Sequence, residues 1–257
     1  MNDRAPKILS GGMTRDEMDE AAAMDGSKRS PNMPPRDAST LIVLDGKGSN
    51  PKVLMGRRSL KHKFMPGLFV FPGGRVDKFD GSAPASSELH PIVEAKIVNT
   101  LRKRPTKRRA RALALASIRE TYEETGLLLG EKCDHDKPID HKDWCAFADH
   151  SVMPSLSELR LIARAITPPG RNRRFDAWFF TARAETIAHR LEELPTKELE
   201  DIHWLTLEDA LKLELPVITV TVLKELQERL AADPDLKPET ELPFFHLRGK
   251  QFLRDMI

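Results

Sequence analysis

Short apolar runs separated by clusters of Gly, Pro, Asn and Asp predict the order of elements along this chain. The run Thr40-Leu41-Ile42-Val43-Leu44, closed by Asp45-Gly46, reads as a strand. Lys52-Val53-Leu54-Met55 follows a Gly/Ser/Asn/Pro turn, so the two runs read as a hairpin. Leu68-Phe69-Val70-Phe71 reads as a third strand, stopped at Pro72-Gly73-Gly74, where two glycines leave backbone bare. From Lys107 to Leu129 the apolar and charged positions recur at helical spacing, with Gly126 and Gly130 as stop signals. Residues 174–181 and 201–205 read as strands. Residues 207–213 and 216–231 read as helices, and Pro216 suits a first turn. Strands mixed with helices, without strict alternation, predict an α/β fold: a mixed sheet with helices on both faces.

Two regions break this pattern. Residues 1–35 are polar and charge-rich, end in Pro31, Pro34 and Pro35, and show no apolar period, which predicts a disordered tail. Residues 81–106 carry Pro84, Pro91 and Pro105 as breaks, which predicts an irregular insertion outside the core, near the mouth of any site. The folded domain is therefore expected over 36–257, with the insertion at about 81–111.

Composition narrows the picture little. Hydrophobic residues make up 40 % and charged residues 31 %, the balance of an ordinary globular protein. A formal net charge of +2 gives no whole-chain case for nucleic acid. Cys133 and Cys145 cannot make a disulfide framework, which points to a reducing compartment. With no apolar run of membrane-spanning length and no signal-peptide pattern, a cytoplasmic location without membrane contact is expected.

The chemistry concentrates on the helix. Glu120, Glu123 and Glu124 stand at i, i+3 and i+4, on one helical face. Three neighbouring carboxylates repel one another unless a cation neutralises them, and oxygen-only ligation selects a hard ion such as Mg²⁺ or Mn²⁺. Arg119 is placed to hold one carboxylate. Taken alone, such a triplet is more often a solvated acidic face.

Context argues otherwise. Phe71-Pro72-Gly73-Gly74 upstream and Arg119-Glu120-x-x-Glu123-Glu124-x-Gly126-Leu127 downstream resemble the two halves of the nudix box, the signature of the nudix hydrolase superfamily. Five residues after Gly74 comes Asp80, where the box usually has Glu. Between Asp80 and Arg119 lie 38 residues where the usual box has seven, an insertion of 31. Thr121 replaces an aliphatic residue. The resemblance implies a nudix α/β/α sandwich, interrupted inside its box, that hydrolyses diphosphates. It implies Glu120 and Glu124 as principal metal ligands, Glu123 as an additional one, and the Gly74 carbonyl as a further contributor. The general base of the family is often a Glu on a later loop; Glu198 is the candidate here, with Glu200 next.

A narrower resemblance covers residues 53–74. Val53-Leu54-Met55, Arg58-Ser59, Lys63, Gly67 and Phe71-Pro72-Gly73-Gly74 fall at the spacing of a motif of coenzyme A-cleaving members, with Lys63 in place of Arg. This, the interrupted box, and Arg173-Arg174-Phe175-Asp176 are similar to one branch. It includes the peroxisomal, kidney-type coenzyme A diphosphatase of mammals and its bacterial relatives. The similarity runs over most of 39–215. It makes Arg58, Ser59, Lys63 and Arg174 candidate substrate contacts, Arg by its planar fork and Lys as a point charge. The expected substrate is coenzyme A or an acyl derivative. Hydrolysis of ADP-ribose or another nucleotide derivative, or a non-catalytic nucleotide- or RNA-binding domain, are the alternatives. Residues 102–111 hold seven Lys or Arg in ten, a cluster that could meet the adenosine phosphates of a substrate or RNA; without interleaved aromatic residues for base stacking, a solvated surface is favoured.

Overall fold

Leu41 and Val43 alternate with Ile42 and Leu44 along the first strand, and the two pairs belong to two different hydrophobic cores. Side chains on a strand alternate between faces, so this strand is covered on both sides. The computed structural model of the protein describes residues 9–14, 16–18, 20, 33–61, 65–133, 139, 141–171 and 173–257. In chain order the elements are β1 (Arg36–Asp45), β2 (Lys52–Arg58), β3 (Phe69–Val70), β4 (Gly73–Arg75), a 3₁₀ turn at Asp80–Ser82, α1 (Pro91–Thr100) and α2 (Lys107–Thr125). Then come β5 (Leu127–Leu129), β6 (Glu131–Lys132), α3 (Cys145–Asp149), β7 (Val152–Met153), β8 (Arg160–Ile166), β9 (Phe175–Arg183) and β10 (Ile187–Arg190). β11 (Leu199–Thr206), α4 (Leu207–Ala210), α5 (Val217–Ala232), β12 (Pro243–Arg248) and β13 (Gln251–Met256) complete the chain.

The main sheet has nine strands, ordered β11-β2-β1-β9-β8-β12-β13, with β3 on β2 and β4 on β1. It is mixed: β1 runs parallel to β9, and β12 parallel to β8, while the other pairs are antiparallel. One face is packed by α1, α2 and α3 through Val93, Ile97, Leu113, Ile118, Trp144 and Phe147. The other is packed by α5 through Val222, Leu223, Leu226 and Leu230. The expected α/β/α sandwich with a mixed sheet is what the chain forms. Among the described residues no helix is long and apolar enough to cross a membrane.

Four expectations are corrected. The glycine pair does not end the strand pattern: after Pro72, Gly73 and Gly74 start β4 and pair antiparallel with Thr40 and Ser39. A Cβ on Gly73 would lie 2.6 Å from the Ser39 carbonyl oxygen, so only glycine lets the two backbones approach. The helix predicted to Leu129 stops at Thr125, because Gly126 takes a left-handed conformation (φ 71°) and Leu127–Leu129 cross to pair with β10.

The insertion is not outside the core. Pro91 opens α1 rather than breaking structure, with the His90 ring accepting from the Ile92 amide at its N-cap. Ala83, Leu89, Val93, Ile97 and Leu101 are then buried beneath the sheet. Finally, part of the stretch expected to be disordered is packed. The Leu9 amide donates to Thr221 Oγ1 at 2.9 Å, Gly12 bonds to the Phe252 carbonyl, and Met18 is buried in the α5 core. Residues 1–8 and 21–32 lie outside the described residues.

Candidate active site

The site is assembled where β4 lies across the middle of α2. α2 begins with Thr106, whose hydroxyl accepts from the Arg109 amide, and its alanine- and leucine-rich first half anchors it under the sheet. Its second half presents Glu120, Glu123 and Glu124 at one face, as the spacing predicts. Thr121 is fully buried and is tolerated there because its hydroxyl donates to the Ser117 carbonyl at 2.8 Å.

Gly73 and Gly74 press against these carboxylates. The Gly73 amide donates to Glu124 Oε2 at 2.9 Å, and a Cβ on Gly74 would come within 2.4 Å of the Glu120 carboxylate. Arg119 is 2 % exposed and organises the rest. It forks onto Asp80 (Nε to Oδ1 2.9 Å, Nη2 to Oδ2 3.1 Å), and Nη2 also donates to the Arg75 carbonyl at 2.8 Å. Its Nη1 reaches Glu120 at 2.9 Å and Glu123 at 3.2 Å. Despite the long insertion, Asp80 thus returns to Arg119.

The electrostatics follow from burial. Burial raises the carboxyl of Glu120 to about 7, offset in part by Arg119 and reinforced by Glu123. Burial raises Glu124 to about 8; the Glu120 charge adds to this and the Gly73 amide opposes it. Glu123 is raised as well, again chiefly by burial. Arg119 loses by burial but is held firmly protonated by its carboxylate partners. Three carboxylates (Asp80, Glu120, Glu123) share the Arg119 guanidinium and Glu124 lies beside Glu120, so the cluster carries an excess of acidic groups over Arg119.

Neither a family model nor a curated protein matches the chain. Solved structures do. A nudix hydrolase from Alicyclobacillus acidocaldarius aligns at 27 % identity with a TM-score of 0.56, over 79 % of this chain and 93 % of that one.

The chain has the nudix hydrolase fold.

Weaker likenesses, with TM-scores of 0.44, are to the nudix domain of Shewanella oneidensis NrtR, solved with ADP ribose, and to a MutT protein of Methanosarcina mazei. They are 14 % and 15 % identical, over 77 % and 78 % of this chain and 90 % and 98 % of those.

The nudix hydrolase fold also explains how the rim residues gather. β11 pairs with β2 so that Leu199 faces Arg58, and the Ser59 amide donates to the Glu198 carbonyl at 3.0 Å. This pairing brings the Glu198 loop beside the carboxylates, where the charge of Glu198 pushes both Glu120 and Glu124 upward. From the same hairpin, the charge of Arg58 draws Glu124 down. Ser59 is buried, and Gly67 (φ 78°) folds the hairpin back so that its amide reaches the Arg58 carbonyl.

Other candidates are placed differently. Glu200 sits across from Arg57 at 3.9 Å. Arg174 donates to the Thr167 and Met33 carbonyls, holding the start of β9. Lys63 lies outside the described residues. Cys133 and Cys145 are both free thiols.

Sequence reasoning missed three contributors. The Gly73 amide, rather than the glycine pair's flexibility alone, orients Glu124. Thr196 donates its hydroxyl to the Glu123 carbonyl at 2.8 Å, tying the Glu198 loop to the end of α2. Trp144 Nε1 reaches Asp80 Oδ1 at 3.3 Å. The Phe-Pro-Gly-Gly motif signalled the first; nothing in the sequence signalled the other two.

The residues fit a divalent cation in charge and chemistry. All the donors are hard oxygens, they carry excess negative charge, and glycine alone leaves room against Glu120. Among the described residues they do not converge as a preformed shell, because Arg119 Nη1 holds Glu120 and Glu123 while Glu124 bonds to Gly73.

Proposed function

We propose that the chain is a Mg²⁺- or Mn²⁺-dependent hydrolase that cleaves the diphosphate of coenzyme A or an acyl derivative. Adenosine 3′,5′-bisphosphate and a phosphopantetheine product would be released. The observation that carries the reading is the pair of buried Glu124 and half-buried Glu120, held between the Gly73–Gly74 backbone and Arg119. When bound, the cation supplies neutralisation of the diphosphate oxygens and an acidified water for in-line displacement. Glu120 and Glu124 hold it, with Glu123 and the Gly74 carbonyl alongside. Arg119 fixes Glu120 in place and is itself too firmly protonated to take part in proton transfer. Glu198 takes the proton of the attacking water from its position on the neighbouring loop. Arg58 meets the phosphates from the β2–β3 hairpin, with Ser59 beside it, and Lys63 is a further candidate contact by its place in the motif. At the same hairpin Leu60 is 72 % exposed, an apolar contact suited to the acyl or pantetheine arm.

The test is hydrolysis of coenzyme A, its 3′-dephospho form and ADP-ribose in saturating Mg²⁺. One charge-assisted contact to the 3′-phosphate contributes about 1.5–3 kcal/mol, so coenzyme A should be favoured by about 10- to 150-fold over the dephospho form. Arg58→Ala should shrink that ratio while sparing the dephospho substrate. Ready hydrolysis of ADP-ribose with coenzyme A ignored would replace this reading by that of an ADP-ribose hydrolase. Ligand binding without any hydrolysis would replace it by a sensor domain.

A further inference from the structure

A segment outside the two halves of the box packs beside Asp80, the carboxylate forked by Arg119. Residues 141–147 place three aromatic rings there. The His141 ring stacks on Phe79 at 4.0 Å and 8°. Phe147 meets the Tyr122 ring edge-on at 5.6 Å, on α2 itself. Between them Trp144 packs on Phe147 at 5.1 Å and turns its indole N–H toward Asp80 Oδ1, 3.3 Å away.

Asp80 has no exposed surface and neither has Trp144. A buried carboxylate must have its oxygens satisfied by the protein. Oδ1 accepts from Arg119 Nε and Trp144 Nε1; Oδ2 accepts from Arg119 Nη2 and the Asp77 amide at 2.8 Å. An indole N–H buried at this depth would be costly without an acceptor, so the ring's packing and its hydrogen bond fix the same orientation. Asp80 is a methylene shorter than the Glu usual at its position, and reaches Arg119 only because the backbone at 79–82 is carried close to α2. Phe79 and Asp80, the residues that carry it, are those that His141 and Trp144 hold.

We infer that Trp144 is a positioning residue of the hydrolase: through Asp80 it fixes Arg119, and through Arg119 the carboxylates Glu120 and Glu123 that face the cation. This rests on the metal-dependent reading above. Outer partners of metal ligands commonly carry a share of metal affinity, because they restrict where the ligands point.

The experiment is titration of the metal-free protein with Mn²⁺, read by the loss of free-ion paramagnetic resonance signal, without substrate. Trp144→Phe keeps an aromatic ring against Phe147 and removes the N–H together with part of the buried ring volume. It should weaken Mn²⁺ binding about 3- to 10-fold, while its loss of buried volume lowers the melting temperature, an effect that Phe147→Leu shares. In an Asp80→Asn background the same substitution should add little, since the route runs through Asp80. Phe147→Leu disturbs the same packing without touching the Asp80 bonds and should leave Mn²⁺ affinity in place. The inference is overturned if Trp144→Phe leaves Mn²⁺ affinity unchanged. It is overturned equally if its effect is as large without Asp80, or is matched by Phe147→Leu. Wild-type protein that binds no Mn²⁺ would instead overturn the metal-dependent reading beneath it, and this inference with it.

Discussion

Among the described residues two arginines are buried, each forked onto a buried aspartate, and they have opposite uses. Arg164 is 1 % exposed and bonds Asp176 at 2.8 and 2.6 Å; its third arm reaches the Thr100 carbonyl. Its flat faces are covered by the rings of Trp178 and Phe244, at 4.3 and 4.4 Å. That pair is balanced and sealed by π faces that favour a cation. Arg119 makes the same fork onto Asp80, but its remaining nitrogen faces Glu120 and Glu123, with Glu124 beside them. The chemistry of the pair is the same; the surrounding charge decides its role. Around Arg164 nothing is left to neutralise. Around Arg119 negative charge remains, on donors that suit a hard cation.

The sharpest way to separate the two regions is to remove one charge from each. Glu124→Gln keeps the Gly73 hydrogen bond and removes a cation ligand. Turnover should fall about a thousandfold, the cost of losing several kcal/mol of transition-state stabilisation, while thermal unfolding stays near wild type. Near-normal turnover in saturating Mg²⁺ would place the site elsewhere. Asp176→Ala should do the reverse. It leaves Arg164 buried and unpaired, at a cost of about 3–5 kcal/mol in urea unfolding, with Mn²⁺ affinity of the folded fraction unchanged. A loss of under 1 kcal/mol would mean that the Arg164 pair is not the sealed structural unit described.

A smaller effect distinguishes the regions by pH. Glu120 and Glu124, raised by burial to about 7 and 8 from an ordinary 4.5, keep protons in the metal-free fold that the unfolded chain releases. The folded state then binds more protons, so the metal-free protein loses stability as pH rises from about 4.5 through 8. Mg²⁺ replaces those protons, so its stabilisation should be larger at pH 8.5 than at pH 5.5, by a few degrees in melting temperature. Equal stabilisation at both values would show that the cation does not bind at these carboxylates.

What was legible in the sequence followed from local rules. The carboxylate face of α2 needs only helical spacing, and the β1–β2 hairpin only an apolar run, a turn and a second run. What was not legible depended on partners far along the chain. Pro91 read as a break because a proline at the first position of a helix and one in a loop look alike locally; the burial of Val93 and Ile97 decides between them. β8 went unrecognised because Arg160 and Arg164 interrupt its apolar run, and Arg164 is buried only by virtue of Asp176, Trp178 and Phe244. β12 opens with Pro243 and exists as a strand through its pairing with β13 and β8. Asp80 could be aligned by counting from Gly74, but its return to Arg119 across 38 intervening residues is a tertiary fact.

The central claim is that the excess negative charge around Arg119 holds a divalent cation. Its most direct test is calorimetric Mn²⁺ titration at pH 8 of the wild-type protein and of a variant carrying Glu120→Gln and Glu124→Gln. Both proteins should first be shown folded by circular dichroism. The account predicts saturable binding to the wild type and none to the variant under the same conditions. Saturable binding of unchanged affinity in the folded variant would contradict it.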